Sequence, residues 1–117
     1  MLSGRVIHTN RTDIDRTKVK ITVLKRLSSD ETIGKDLPGT PTGPLGPCGA
    51  WKDGQEFIIE EARMPENFPC PSAWYTMYPY VRALLWGAKI PWYKEGNVVV
   101  LNCIDALRTV MFKVERL

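Results

Sequence analysis

Between Ser28 and Ala50 the chain places five of its nine glycines (34, 39, 43, 46, 49) and four of its nine prolines (38, 41, 44, 47). Proline lacks a backbone N–H and has a fixed φ. Pairs such as Pro38-Gly39, Gly43-Pro44 and Gly46-Pro47 therefore exclude both a helix interior and a central strand. What remains is a long punctuated loop, and loops of that length in a small domain are commonly functional or mobile. The chain has 117 residues, which is one domain's worth. Its regular structure has to come from a short stretch before this loop and a longer one after it.

Residues 1–17 read as an N-terminal extension with a short strand at Arg5-Val6-Ile7-His8-Thr9. From Lys18 the pattern alternates. Val19, Ile21 and Val23 point one way and Lys18, Lys20 and Thr22 the other, as in a half-buried strand ending near Leu27. Beyond the loop, Lys52-Asp53-Gly54-Gln55 is a turn feeding a strand at Glu56–Glu60. Cys70-Pro71-Ser72-Ala73-Trp74 opens a helix, because proline suits the first helical position. Trp74, Met77, Tyr78, Val81, Leu84 and Leu85 follow at helical spacing and give it one apolar face. Pro79 is expected to kink this helix or start a second segment, and Gly87 to stop it. The continuous apolar run at Asn97–Cys103 predicts a buried strand. Thr109–Arg116 predicts a last one, with Val110, Phe112 and Val114 inward. Residues 18–117 thus form a single α+β domain: a small antiparallel sheet, β-β-α-β-β, with one dominant helix and a Gly/Pro-rich loop at 28–50.

The chain is 44% apolar, enough for a core, yet its longest unbroken apolar run is Val98–Leu101, far short of the ~20 residues that span a bilayer. The first residues carry no apolar stretch of signal-peptide length. A cytoplasmic location with reduced thiols and no membrane partner is expected. Residues 1–26 hold seven basic groups against two acidic ones, while the rest holds nine against eleven. No aromatic residue is interleaved with those cations, so a solvated basic arm is expected rather than nucleic-acid binding.

Cys48, Cys70 and Cys103 belong to no C-x-x-C pair, so neither a zinc ribbon nor a thioredoxin-type dithiol is written locally. Each falls at the end of an expected element. Brought together, three thiolates could hold zinc or an iron centre, with Asp105 the nearest oxygen donor; His8, the single histidine, sits in the extension. At a helix start, Cys70 faces unpaired N–H groups and the positive end of the macrodipole, which favour the thiolate and make it a candidate nucleophile. Asp105 and Arg108, in the turn after Cys103, are candidate assisting residues, although Asp105 could equally cap its own turn. One histidine in an extension leaves a Cys-His or Ser-His-Asp arrangement without its base, and no phosphate-loop, dinucleotide or H-E-x-x-H string is present.

Seven of the eight tryptophans and tyrosines lie between residues 74 and 93. They are expected either to pack a core or to wall a ligand pocket formed by Trp74, Tyr78 and Trp92. Tyr75, Tyr80 and Trp86, off the apolar helix face, would line that pocket or make a subunit contact.

In the stretches ITVLKR (21–26), GPCGAWKDGQEF (46–57), MPENFPCPSAW (64–74), YPYVRALLWGAKIPW (78–92) and NCIDALRTVMFKVER (102–116), the chain resembles a family of short, uncharacterised bacterial and archaeal proteins, sometimes arranged as tandem repeats. The resemblance implies that Cys48, Cys70 and Cys103 act as a set, and it matches the family's aromatic and Pro-Trp positions to Trp74, Tyr78, Pro91 and Trp92. It implies no activity. The first expectation for function is a cysteine-based redox or metal-binding domain working as a homo-oligomer or beside a partner enzyme. Two alternatives stand beside it: an interaction or ligand-binding module with structural cysteines, and a small enzyme using Cys70 with Asp105 and Arg108.

Overall fold

A computed structural model of the chain describes residues 17–43 and 45–117. The strand expected at Arg5–Thr9, and His8 with it, lies outside the described residues. The regular elements are β1 (Val19–Arg26), α1 (Ser29–Thr32), β2 (Glu56–Ile59), α2 (Pro71–Leu85), β3 (Val98–Asn102) and β4 (Val110–Arg116). The four strands form one antiparallel sheet in the order β2-β1-β4-β3. This is the expected α+β architecture, with one short helix added.

β1 and β4 occupy the centre of the sheet, which is why their inward residues are the most completely buried. Val19, Ile21, Val110, Phe112 and Val114 are all shut off from solvent. Unbroken alternation along β1 would carry Lys25 onto the same face as Val19, Ile21 and Val23. A bulge between Val23 and Lys25 prevents this: Val23 pairs with Phe112 and Lys25 with Met111, so the extra residue, Leu24, resets the phase. The continuous run Val98–Leu101 is not buried on both faces as expected. β3 is an edge strand, where Val99 alone is fully buried and Val100 is exposed.

α2 lies over β3, β4 and β1. The part of the sheet it does not reach, above β2, is filled by aromatic rings. Trp51 meets Phe112, Phe68 and Phe57 edge-to-face at centroid distances of 4.9, 5.1 and 5.9 Å, and Phe68 continues to Trp74 at 5.5 Å. This geometry sets a positive ring edge against a negative face, adding ~0.5–1.5 kcal/mol per pair to the burial of the rings themselves.

α2 runs through Pro79 as one helix, with no second segment. Pro79 sits on the exposed side, so the Tyr75 carbonyl deprived of its helical partner is on the wet face of the helix. Gly87 stops the helix as expected, at φ 86°. The Gly87 and Ala88 amides donate back to the Leu84 and Ala83 carbonyls at 3.0 and 2.9 Å, a Schellman closure. Arg116, at the end of β4, then donates Nη1 to the carbonyls of Leu84 (3.3 Å) and Ala88 (2.9 Å). A guanidinium thereby sits at the negative end of the helix dipole.

The Gly/Pro segment does begin with structure. Ser28 caps α1, and Glu31 returns the bond, its carboxylate accepting from the Ser28 amide at 3.0 Å. The pattern S-x-x-E at 28–31 is the sequence signal for this box, and it precedes the first proline of the segment. From Pro38 to Pro47 no helix or strand forms among the described residues. The far end of the loop is tied down by Arg26, which pairs with Asp53 at 3.1 Å and donates to the Cys48 carbonyl at 3.1 Å.

Candidate functional site

The three thiols are free, and each is engaged by its own surroundings. Cys70 is the N-cap of α2, as expected, with Pro71 following it, but its side chain makes no capping hydrogen bond. It is half-buried and packs against the core, as does Cys48. Cys103 is buried just past the end of β3. Its amide donates to the Val110 carbonyl at 2.9 Å, which is half of an ordinary antiparallel rung. The other half is unusual. The Val110 amide donates to Cys103 Sγ at 3.3 Å, while the Cys103 carbonyl accepts from Asn102 Nδ2 at 2.9 Å. The thiol takes the place of a backbone acceptor in the last rung of the β3–β4 ladder. Sγ also lies 3.7 Å from the Asp105 carbonyl and 3.9 Å from Thr109 Oγ1. Thr109, just before β4, is buried against it.

The set Cys48, Cys70 and Cys103 does not assemble into a metal-binding group. Among the described residues no cluster of three or more His, Cys, Asp or Glu side chains could hold an ion. The physical reason is local, because two of the thiols face the apolar core and the third completes a backbone ladder.

Asp105 caps its own turn. Its Oδ1 accepts from the Leu107 amide (2.9 Å) and the Arg108 amide (3.2 Å), and Oδ2 lies 3.7 Å from Arg108 Nε. Thr32 Oγ1 donates to the Leu107 carbonyl at 2.6 Å and ties α1 to this turn. Arg108 stands on the rim of an open concavity of about 710 Å³, whose other walls are Leu37–Gly43, Leu45 and Leu107. Cys70 does not line it, so the expected trio of Cys70, Asp105 and Arg108 does not share this hollow.

The aromatic residues divide differently from the expected pocket. Trp74 is buried in the core between Phe68 and Tyr78, because its position in the first turn of α2 faces the sheet. Tyr78 is half-buried, one turn further on. Trp92 lies beyond the Gly87 stop and is 64% exposed. None of Trp74, Tyr78 and Trp92 lines the concavity beside Arg108.

What α2 does present is a row on its outer side. Tyr75, Pro79, Arg82 and Trp86 are spaced i, i+4, i+7 and i+11, a spacing that keeps them on one stripe of a helix. Tyr75 is 73% and Trp86 60% exposed. The Arg82 guanidinium lies 4.3 Å from the centroid of the Trp86 ring, a cation–π contact. Arg82 is the only charged residue in α2. A solvated helix face ordinarily carries several acids and lysines; this one carries two large rings and one cation.

No family model, curated protein or solved structure matches this chain. The resemblance to short three-cysteine proteins accordingly rests on the sequence segments alone. Among the described residues, no helix is long and apolar enough to cross a membrane.

Sequence reasoning did not find Thr76, Tyr93 or Arg116 as positioning residues. Thr76 Oγ1 is shared between the Ala73 carbonyl at 2.8 Å and the Asn102 carbonyl at 3.2 Å, and Tyr93 Oη accepts from the Val100 amide at 3.1 Å. No local pattern announces the bonds to Asn102 and Val100, because each joins residues made neighbours only by the tertiary fold.

Proposed function

We propose that the chain is a cytoplasmic protein-interaction module whose contact surface is the outer face of α2, with Tyr75 and Trp86 as anchors, Arg82 between them and the cysteines serving as core. The observation that carries this reading is the row itself: exposed aromatic side chains at helical spacing on a helix with a single charge. Tyrosine, tryptophan and arginine are the residues enriched where binding energy concentrates at protein interfaces, since each buries a large area and brings a polar handle. The chemistry expected of the partner is an apolar surface bearing a carboxylate or carbonyl to receive Arg82 and the Tyr75 hydroxyl. Two features support the cysteines as core: Sγ of Cys103 serves as a ladder acceptor, and Cys48 and Cys70 pack inward.

Hydroxyl-radical footprinting of the protein in the cells that make it, compared with the purified protein, tests the reading. Tyr75 and Trp86 are expected to be labelled several-fold less in the cell, while exposed Ile104, remote from α2 in sequence, is labelled equally in both. Equal labelling of Tyr75 and Trp86 in both settings would overturn the proposal.

A further inference from the structure

The two edges of the sheet are treated in opposite ways. At the β3 edge, the outward Val100 amide is bonded to Tyr93 Oη, and the outward Asn102 carbonyl has Thr76 Oγ1 against it at 3.2 Å, a hydroxyl it shares with the Ala73 carbonyl. Side chains there occupy the positions another strand would need. At the β2 edge, the register Val19↔Ile59 and Ile21↔Phe57, with the Val23 amide donating to the Gln55 carbonyl at 2.8 Å, commits the Gln55 carbonyl and the backbone groups of Phe57 and Ile59 to β1. Antiparallel alternation then turns the N–H and C=O of Glu56 and Ile58 outward. Neither residue has a backbone partner on that side among the described residues. An open groove of about 640 Å³ runs alongside, walled by Ile58, Glu60, Met64 and Glu66 among others. Ile58 and Met64 are exposed apolar side chains.

Charge selects the occupant. Residues 56–66 hold four glutamates and one arginine, and Arg63 is bonded to Glu61 at 2.7 Å. Two copies of β2 paired around a two-fold axis at Ile58 would set Glu56 of each against Glu60 of the other, and like charges directly opposite destabilise a ladder. A basic strand meets no such penalty. β1 already shows the matching chemistry on the inner side: Lys18 Nζ reaches Glu60 Oε1 at 3.1 Å and Lys20 Nζ reaches Glu56 Oε2 at 3.5 Å. Each carboxylate keeps its second oxygen for another cation.

We propose that the free edge of β2 takes up an extended segment of a partner protein as a fifth strand, with an apolar residue opposite Ile58 and lysine or arginine opposite Glu56 and Glu60. Main-chain hydrogen bonds to Glu56 and Ile58 supply affinity, and the alternating basic-apolar-basic side chains supply selectivity. This surface is separate from the outer face of α2, which packs over the other side of the sheet, so either proposal can fail alone.

The probe is a synthetic peptide, Ser-Lys-Thr-Val-Thr-Lys-Ser, blocked at both ends, titrated against the full chain while amide hydrogen exchange is followed by NMR. At saturation the Glu56 and Ile58 amides are expected to exchange at least tenfold more slowly, with Val100 unchanged. The same peptide with glutamate for lysine should give no protection. The variant I58P removes one outward donor without touching the β1 ladder, a position where an edge strand tolerates proline, and should abolish protection of Glu56. The variant pair E56K and E60K, which keeps every backbone donor, should abolish protection of the amides at positions 56 and 58 by charge. No slowing at millimolar peptide, equal protection by the glutamate peptide, or protection of Val100 to the same degree would each overturn the proposal.

Discussion

Replacing Cys103 separates a thiol that fills space from one that completes a ladder. Cys103→Ala removes the acceptor of the Val110 amide, and Val110 is fully buried, so that N–H is left unpaired away from water. An orphaned buried donor costs ~1–3 kcal/mol. Loss of a buried group about the size of a methylene adds ~0.8 kcal/mol. The expected destabilisation is about 3 kcal/mol, which for a domain of this size lowers Tm by roughly 10 °C. Cys103→Ser keeps an acceptor toward Val110 and a donor toward the Asp105 carbonyl, so its cost is expected near ~1 kcal/mol. The order matters more than either value. A site valued only for apolar packing would tolerate alanine better than serine, because serine would bury a hydroxyl with nothing to bond. Urea unfolding followed by tryptophan fluorescence, with midpoints compared at unchanged slope, reads the difference directly. Alanine equal to or better than serine would refute the ladder role.

Three further outcomes follow from the packing. Trp51→Ala removes the ring that joins Phe57, Phe68 and Phe112 and should cost ~3–5 kcal/mol, with collapse of the near-ultraviolet dichroism; Trp51→Phe should lose less than half as much. Arg116→Met leaves the carbonyls of Leu84 and Ala88 without their charged donor and should cost ~1–3 kcal/mol in thermal unfolding, partly recovered by Arg116→Lys. The bond from the Ser28 amide, helped by the Ser28 hydroxyl, holds the Glu31 carboxyl below its ordinary range. Its stabilisation is therefore complete above the unfolded-state value and is lost as pH falls through the lower folded-state value. Acidification should erode wild-type stability more than that of Glu31→Gln, and parallel curves would contradict the capping box.

How much of this could be read in the sequence depended on whether the cause was local. Val19, Ile21 and Val23, and later Val110, Phe112 and Val114, announced their strands because period-two alternation is produced by the pleat itself. The start of α2 at Pro71 and its stop at Gly87 were readable for the same reason, since both are backbone constraints carried by one residue. The run Val98–Leu101 misled because apolar composition does not say where a strand stands in the sheet. Strand order is a long-range property, and β3 came out at the edge. α1 was overlooked in a segment judged by its prolines, although Ser28 and Glu31 had the capping spacing. The candidate site was the least readable part. The cysteines lie at element ends as expected, but whether a thiol at such an end meets a metal, a substrate or a backbone amide depends on what the other strand brings. For Cys103 that was Val110. The exposure of Tyr75 and Trp86 could be inferred from their helical phase, and Arg82 over Trp86 from the i, i+4 spacing.

The central position of β1 and β4 bears on how the protein is made. Val19 pairs with Arg116, and the Leu117 amide donates to the Lys18 carbonyl at 2.8 Å, so the first and last strands among the described residues lie side by side in the middle of the sheet. A ribosome delivers β1 well before β4, with every other element between them. Until residue 116 has cleared the exit tunnel, β1 has only the four residues of β2 to pair with, and the inner faces of Ile21 and Val23 wait without Val114 and Phe112. Formation of the central β1–β4 ladder is thereby deferred until β4 emerges, and the nascent chain depends in the meantime on whatever shields its exposed strand.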